Sequence, residues 1–147
     1  DGEWVSDGDN LPAGSIYTTV LEAETEGSLW LPRAAGAKDV LLHFEGGRVV
    51  CVEAASGAED LEALFDAHSG EPRRVSHAGV GLNPALRRPI GWTLVDEHVS
   101  GAFFIALGEN RYMGGQNESS LNIDFCSPQA TVEVDGRVLV SEGELAV

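Results

Sequence analysis

Two stretches of this chain read as the same object, and they limit what it can become. Thr131 to Val140 is an alternating run, TVEV, then Asp135-Gly136, then a second alternating run, RVLV. Asp-Gly supplies the positive φ angles of a type I′ turn, so the segment predicts a hairpin. VLLHFE and RVVCVE, split by Gly46-Gly47, predict another. Ser15 to Val20 (SIYTTV), Ser28 to Leu31 (SLWL), Ala102 to Leu107 (AFFIAL) and Leu121 to Phe125 (LNIDF) are further β-branched or aromatic runs of strand length. Asp7-Gly8-Asp9-Asn10 is turn chemistry. With 18 glycines to punctuate these runs, the chain is expected to be β-rich, mainly β within an α+β class, as one sheet-like or barrel-like domain over residues 1–147.

One helix is expected, near residues 57–69. Ser56 reads as its N-cap, and Glu59, three residues on, completes a capping box. Ala58, Leu61, Leu64 and Phe65 form an apolar stripe at helical spacing that would cover one face of the sheet. Gly70 and Pro72 follow as stop signals. No repeat and no long linker interrupts the chain.

Charge narrows the partners. Nine Lys and Arg against 24 Asp and Glu leave a formal net charge of −15. Such a chain repels phosphate backbones and anionic lipid, so neither nucleic acid nor a membrane surface is an expected partner, whereas a cationic peptide would be steered towards it. No apolar stretch reaches the ~20 residues that span a bilayer, and no signal-peptide pattern opens the sequence. Cys51 and Cys126 lie apart, in apolar strand-like runs, and read as buried thiols of a cytoplasmic protein.

No nucleophile elbow, phosphate loop, paired-histidine zinc helix or Cys/His zinc spacing is present. His43, His68, His77 and His98 are scattered, and each alone reads as an ordinary surface or core histidine. Asp124 differs, because a carboxylate inside an apolar strand must be paired, hydrogen-bonded or functional. Gly81-Leu82-Asn83-Pro84 and Gly114-Gly115-Gln116-Asn117 read as turns.

Taken in order, several of these pieces resemble one family. Asn10-Leu11-Pro12-Ala13-Gly14, Gly79 to Pro84, Ile105 to Asn110, Gly114 to Asn117, Asn122-Ile123-Asp124-Phe125 and the closing hairpin look like the C-terminal metal-binding domain of the aminopeptidase T/aminopeptidase S metallopeptidases. The related dihydroxypyridine dioxygenases share this domain and bind iron. The resemblance implies metal-ligand positions at Ser15, His77, Phe104, Asn122 and Asp124, where the family carries glutamate, glutamate, histidine, histidine and aspartate. Tyr112 or Arg111 stands where the family has a tyrosine beside its pocket. Phenylalanine donates nothing, and serine and asparagine are poor ligands, so neither a zinc site nor a two-histidine, one-carboxylate iron site is expected.

The resemblance therefore implies a pseudoenzyme with no metal, no cofactor and no catalytic residues. It would be a peptide-binding, homodimeric accessory protein similar to those of ribosomal-peptide pathways such as crocagin's, which bind the leader of a precursor peptide. Two alternatives stand beside that expectation. One is a small enzyme that reuses His77, Asp124 and Tyr112 for acid–base chemistry; the other is a structural dimerisation domain.

Overall fold

The turn dipeptides of both expected hairpins separate strands where expected. In a computed structural model, which describes residues 5–6 and 10–146, β3 (Gly27–Ala34), β4 (Ala37–Glu45) and β5 (Arg48–Ser56) form an antiparallel meander in the order β3-β4-β5. Gly46-Gly47 makes the second turn. On β4, Val40, Leu42 and Phe44 point inward and are buried, at the period of two that a half-buried strand requires. The closing hairpin also forms, from β9 (Val132–Val134) and β10 (Arg137–Ser141), with Asp135 and Gly136 at φ 52° and 76°. A short β11 (Glu144–Leu145) extends it to three strands. Asp7, Gly8 and Asp9 of the expected N-terminal turn lie outside the described residues, and Asn10 is a bend.

A third sheet has the order β1-β2-β6-β7-β8: Val5–Ser6, Ser15–Thr19, Val75–Gly81, Phe103–Gly108 and Asn122–Ser127. The fold is thus β-rich α+β, with its strands divided among three antiparallel sheets. Strand β6 does not announce itself in the sequence. Its run VSHAGVG is poor in β-branched residues, and its glycines answer to their neighbours. A Cβ on Gly79 would lie 2.3 Å from Phe104 Cζ and 2.4 Å from the Ile16 carbonyl oxygen. Gly79 is therefore a close-approach residue inside a strand.

The main helix, α1, spans Ala58–Asp66, shorter than the expected 57–69. Leu61 and Phe65 are fully buried and face β4 and β5, each contributing about 1.5–3 kcal/mol of apolar burial. The capping box does not form. Ser56 is the last residue of β5, paired with Lys38, and the N-cap is Gly57 at φ 79° with no side-chain cap. The strand must reverse within one residue, and a Cβ at Gly57 would stand 3.0 Å from Ala37 Cα. A second helix, α2 (Thr93–Asp96), is a single turn.

The chain groups into two compact units. One holds residues 19–77 and 105–125; the other holds 78–104, the described residues up to Thr18, and the segment from Cys126 onward. Within the second unit, the motifs that read as separate turns are joined. The Leu82 amide donates to the Gly14 carbonyl at 2.7 Å, and Asn83 Nδ2 donates to the Ala13 carbonyl at 2.7 Å. The Asp96 carboxylate accepts the Ile90 and Gly91 amides, at 2.7 and 2.9 Å.

The cysteines are not both interior. Cys51 is exposed and Cys126 half-buried, and neither forms a disulfide. Cys51 falls on the outward-facing positions of β5, opposite His43, which the apolar character of the run conceals. Among the described residues, no helix is long and apolar enough to cross a membrane.

Candidate functional site

The unit formed by residues 19–77 and 105–125 brings two of the expected positions together. His77, on β6, is buried, and its Nε2 lies 3.1 Å from Asp124 Oδ1 on β8. That separation is an ion-pair distance, but the buried Oδ1 makes no aligned hydrogen bond. Behind the ring, His77 Nδ1 is 2.9 Å from Ser76 Oγ, and the Ser76 hydroxyl donates to the Glu109 carbonyl at 3.1 Å. Ser76 is fully buried. Asp124 thus faces a histidine, and the two form an ion pair when the ring is protonated.

A second contact lies on the same strand. Asn122 Nδ2 donates to the Tyr112 hydroxyl oxygen at 3.2 Å. Two residues apart on β8, Asn122 and Asp124 point to the same face. Tyr112 is exposed, in a 3-10 turn at Arg111–Met113. Arg111 is held by carboxylates of its own loop. Its Nε and Nη2 hold the two oxygens of Glu109 at 2.9 and 3.1 Å, and its Nη1 reaches Glu118 at 3.2 Å. The Arg111 guanidinium, together with the Ser119 and Arg111 amides, lowers Glu109 to about 2.

The loop that follows β7 braces this site through residues that sequence reading passed over. Asn110, fully buried, donates from Nδ2 to the Ser76 carbonyl and to Glu22 Oε1, both at 3.0 Å. Its Oδ1 accepts the Asn117 amide at 2.8 Å, and Asn117 Nδ2 donates to the Val75 carbonyl at 2.7 Å. Burial works to raise Glu22, but hydrogen bonds from the Gln116 amide and Asn110 outweigh it and hold its carboxyl below the usual range. Asn117 lies in GGQN, which reads as a turn, and Asn110 closes the motif IALGEN, where the resemblance gives it no role.

The other ligand positions hold different chemistry. Ser15 is buried at the start of β2. Phe104 is buried, and its ring occupies the space over Gly79.

Comparison with known proteins places the chain. The pattern of the family described as NicX, 2,5-dihydroxypyridine 5,6-dioxygenase, matches residues 9–147. The chain belongs to this family. Among solved structures, 2,5-dihydroxypyridine dioxygenase from Pseudomonas putida KT2440 is similar at 20% identity and a TM-score of 0.75, covering 90% of this chain and 43% of that one. AmpT from Thermus thermophilus is similar at 24% identity and a TM-score of 0.72, covering 100% of this chain and 44% of that one. The chain thus spans under half the length of either structure, and at these identities the likeness shows a shared fold. A search of curated proteins found no match.

These findings overturn the expectation of a non-catalytic domain. The family is named for a dioxygenase, and a dioxygenase is among its structural neighbours, so the chain is to be read as enzyme-like. That expectation rested on counting lost metal ligands. The count could not show that the two donors that remain, His77 and Asp124, meet in a buried pair.

The iron that the resemblance implies does not fit the described residues. Among them, no three His, Cys, Asp or Glu side chains come together to hold a metal ion. Two of the family's histidine positions hold a phenylalanine packed on Gly79 and an asparagine whose amide is given to Tyr112. Neither can replace an imidazole in a facial triad.

Proposed function

We propose that the chain is an enzyme that carries out general acid–base catalysis through His77 and Asp124 on an extended peptide. The observation that carries this reading is the buried approach of His77 Nε2 to Asp124 Oδ1 at 3.1 Å, with the other ring nitrogen engaged by Ser76. A base held by a second hydrogen bond and faced by a carboxylate is the usual construction of a proton-transfer site. Nε2 takes a proton from a water as its oxygen adds to a peptide carbonyl, and the imidazolium, stabilised by Asp124, returns that proton to the amine that departs as the C–N bond breaks. The Tyr112 hydroxyl and the Asn122 amide, on the same strand face as Asp124, offer polar groups to orient the substrate.

The peptide follows from two features. Strand β8, which carries Asp124, is last in its sheet order, and an extended chain added there would lie beside the carboxylate. The net charge of −15 favours a cationic segment. In the setting suggested by the crocagin resemblance, that peptide is a ribosomal precursor and the reaction takes place in the cytoplasm.

Mass spectrometry after incubation with basic precursor-type peptides tests the proposal. We expect a change in peptide mass that falls about 10²-fold or more in rate in His77→Gln and Asp124→Asn. No mass change with any peptide, or equal turnover by the variants, would overturn it. So would oxygen uptake on 2,5-dihydroxypyridine by the iron(II)-loaded protein.

A further inference from the structure

We propose that Ser28, His43 and Glu53 form a second site, on the outward face of the β3-β4-β5 meander, in which Ser28 is a nucleophile for acyl transfer from activated esters. The register of the three strands brings them together. Ser28 on β3 lies directly opposite His43 on β4, and Leu41 on β4 lies opposite Glu53 on β5. Glu53 is thus the diagonal neighbour of His43, within reach of a long side chain. The contacts follow from that placement. Ser28 Oγ is 2.8 Å from His43 Nδ1, and His43 Nε2 is 2.8 Å from Glu53 Oε1.

The direction of the two bonds follows from their hydrogens. A carboxylate can only accept, so the hydrogen between Nε2 and Glu53 belongs to the ring. In the neutral imidazole this leaves Nδ1 as an acceptor, and the Ser28 hydroxyl donates to it. A hydroxyl aimed at a base that is itself held by a carboxylate is the arrangement that activates a serine for attack. Here the serine stands on Nδ1 and the carboxylate on Nε2, and the logic is the same with the nitrogens exchanged.

The reaction balances within these residues. As Ser28 Oγ bonds to the ester carbonyl carbon, its proton passes to Nδ1 and Glu53 stabilises the imidazolium. The leaving oxygen departs with the electrons of the C–O bond and takes that proton. Water, giving a proton to Nδ1, then adds to the acyl carbon, and Ser28 leaves with the proton returned to it. Ser28 is exposed, so the oxygen of the tetrahedral intermediate is left to water. That selects donors with a good leaving group, aryl esters before alkyl esters or amides. Trp30 and Leu41 are opposite each other on the same face, each two residues from a member of the relay. Trp30 is exposed, and the pair offers an apolar bed for an aryl ring.

An alkyl fluorophosphonate, which bonds a serine oxygen at phosphorus and releases fluoride, tests the nucleophile directly. We expect a single adduct, mapped to Ser28 by peptide mass spectrometry. Its maximal labelling rate should fall about 10²-fold in His43→Gln and about tenfold in Glu53→Gln, with the half-saturating probe concentration unchanged. Hydrolysis of para-nitrophenyl acetate should fall in the same order and drop to the solution rate in Ser28→Ala. An adduct at Cys51, which lies opposite His43, or no adduct at all, would overturn the assignment. So would labelling of Ser28 at an unchanged rate in His43→Gln, the behaviour of an ordinary exposed serine. A Glu53→Gln variant with an unchanged maximal rate would remove Glu53 from the relay.

Discussion

Phe104 and Gly79 are written for each other. The phenylalanine at a family histidine position removes a donor, and its ring needs the space that a glycine leaves. Gly79→Ala would place its Cβ 2.3 Å from the ring and 2.4 Å from a backbone oxygen that cannot retreat. We expect a loss of about 1–3 kcal/mol in denaturant unfolding, the usual cost of overpacking. An unchanged midpoint would mean that β6 is looser there than described. A second residue-scale outcome concerns acid. Glu109 titrates at about 2 in the folded chain, below its ordinary 4.5, and Glu22 is also lowered. The folded state thus holds protons less readily than the unfolded one. The stability from Glu109 is complete above about 4.5 and is lost as pH falls towards 2. Glu109→Gln should flatten stability against pH across that window; a slope equal to wild type would show that the Arg111 clamp contributes nothing. At this scale the sequence disclosed only part of the site. Asp124 stood out because a carboxylate in an apolar strand needs a reason, and the resemblance pointed to His77. Ser76 did not stand out, since its contact with the carbonyl of Glu109 joins β6 to a distant part of the chain.

Elements were legible where their signal is local. Both hairpins carry it in the turn dipeptide and the flanking alternation, and the stripe of Leu61, Leu64 and Phe65 is local to one helix. Strand β6 is different, because Gly79 makes room for Phe104 and the Ile16 carbonyl and Gly81 for the backbone of residues 97–99, and a propensity reading sees only weak strand formers. The start of α1 failed for a related reason. Ser56 and Glu59 have the spacing of a capping box, but Ser56 is still paired in β5, and the reversal is made at Gly57. This yields a contrast between neighbours. Ser56→Ala should change stability by less than about 0.5 kcal/mol, as at an uninvolved surface position. Gly57→Ala should cost about 1 kcal/mol or more, because a left-handed residue there gains a Cβ against Ala37. Thermal unfolding of the two variants decides between the readings. A larger loss from Ser56→Ala would restore serine as the cap.

At the scale of the whole molecule, charge is the property that sequence states outright and that the fold leaves in place. Acidic groups outnumber basic ones by 24 to 9. Four of the arginines, Arg48, Arg73, Arg74 and Arg111, are held in ion pairs with carboxylates of the chain itself. These pairs cancel within the chain, and the acidic excess of −15 is what a partner meets. An extended cationic peptide should associate faster and more tightly at low salt, with an affinity that stays near micromolar, because ordering a flexible strand offsets much of the contact energy. Calorimetric titration with a lysine- and arginine-rich peptide, at ionic strengths of about 0.01 and 0.15 M, measures both effects. The Debye length falls from roughly 30 to 8 Å over that range, so contributions from charges not in direct contact are screened. We expect clear weakening at the higher salt and no heat from a glutamate-rich peptide of equal length. Equal affinity for the acidic peptide, or affinity indifferent to salt, would show that the negative field serves solubility alone and that the occupant of the β8 edge is not selected by charge.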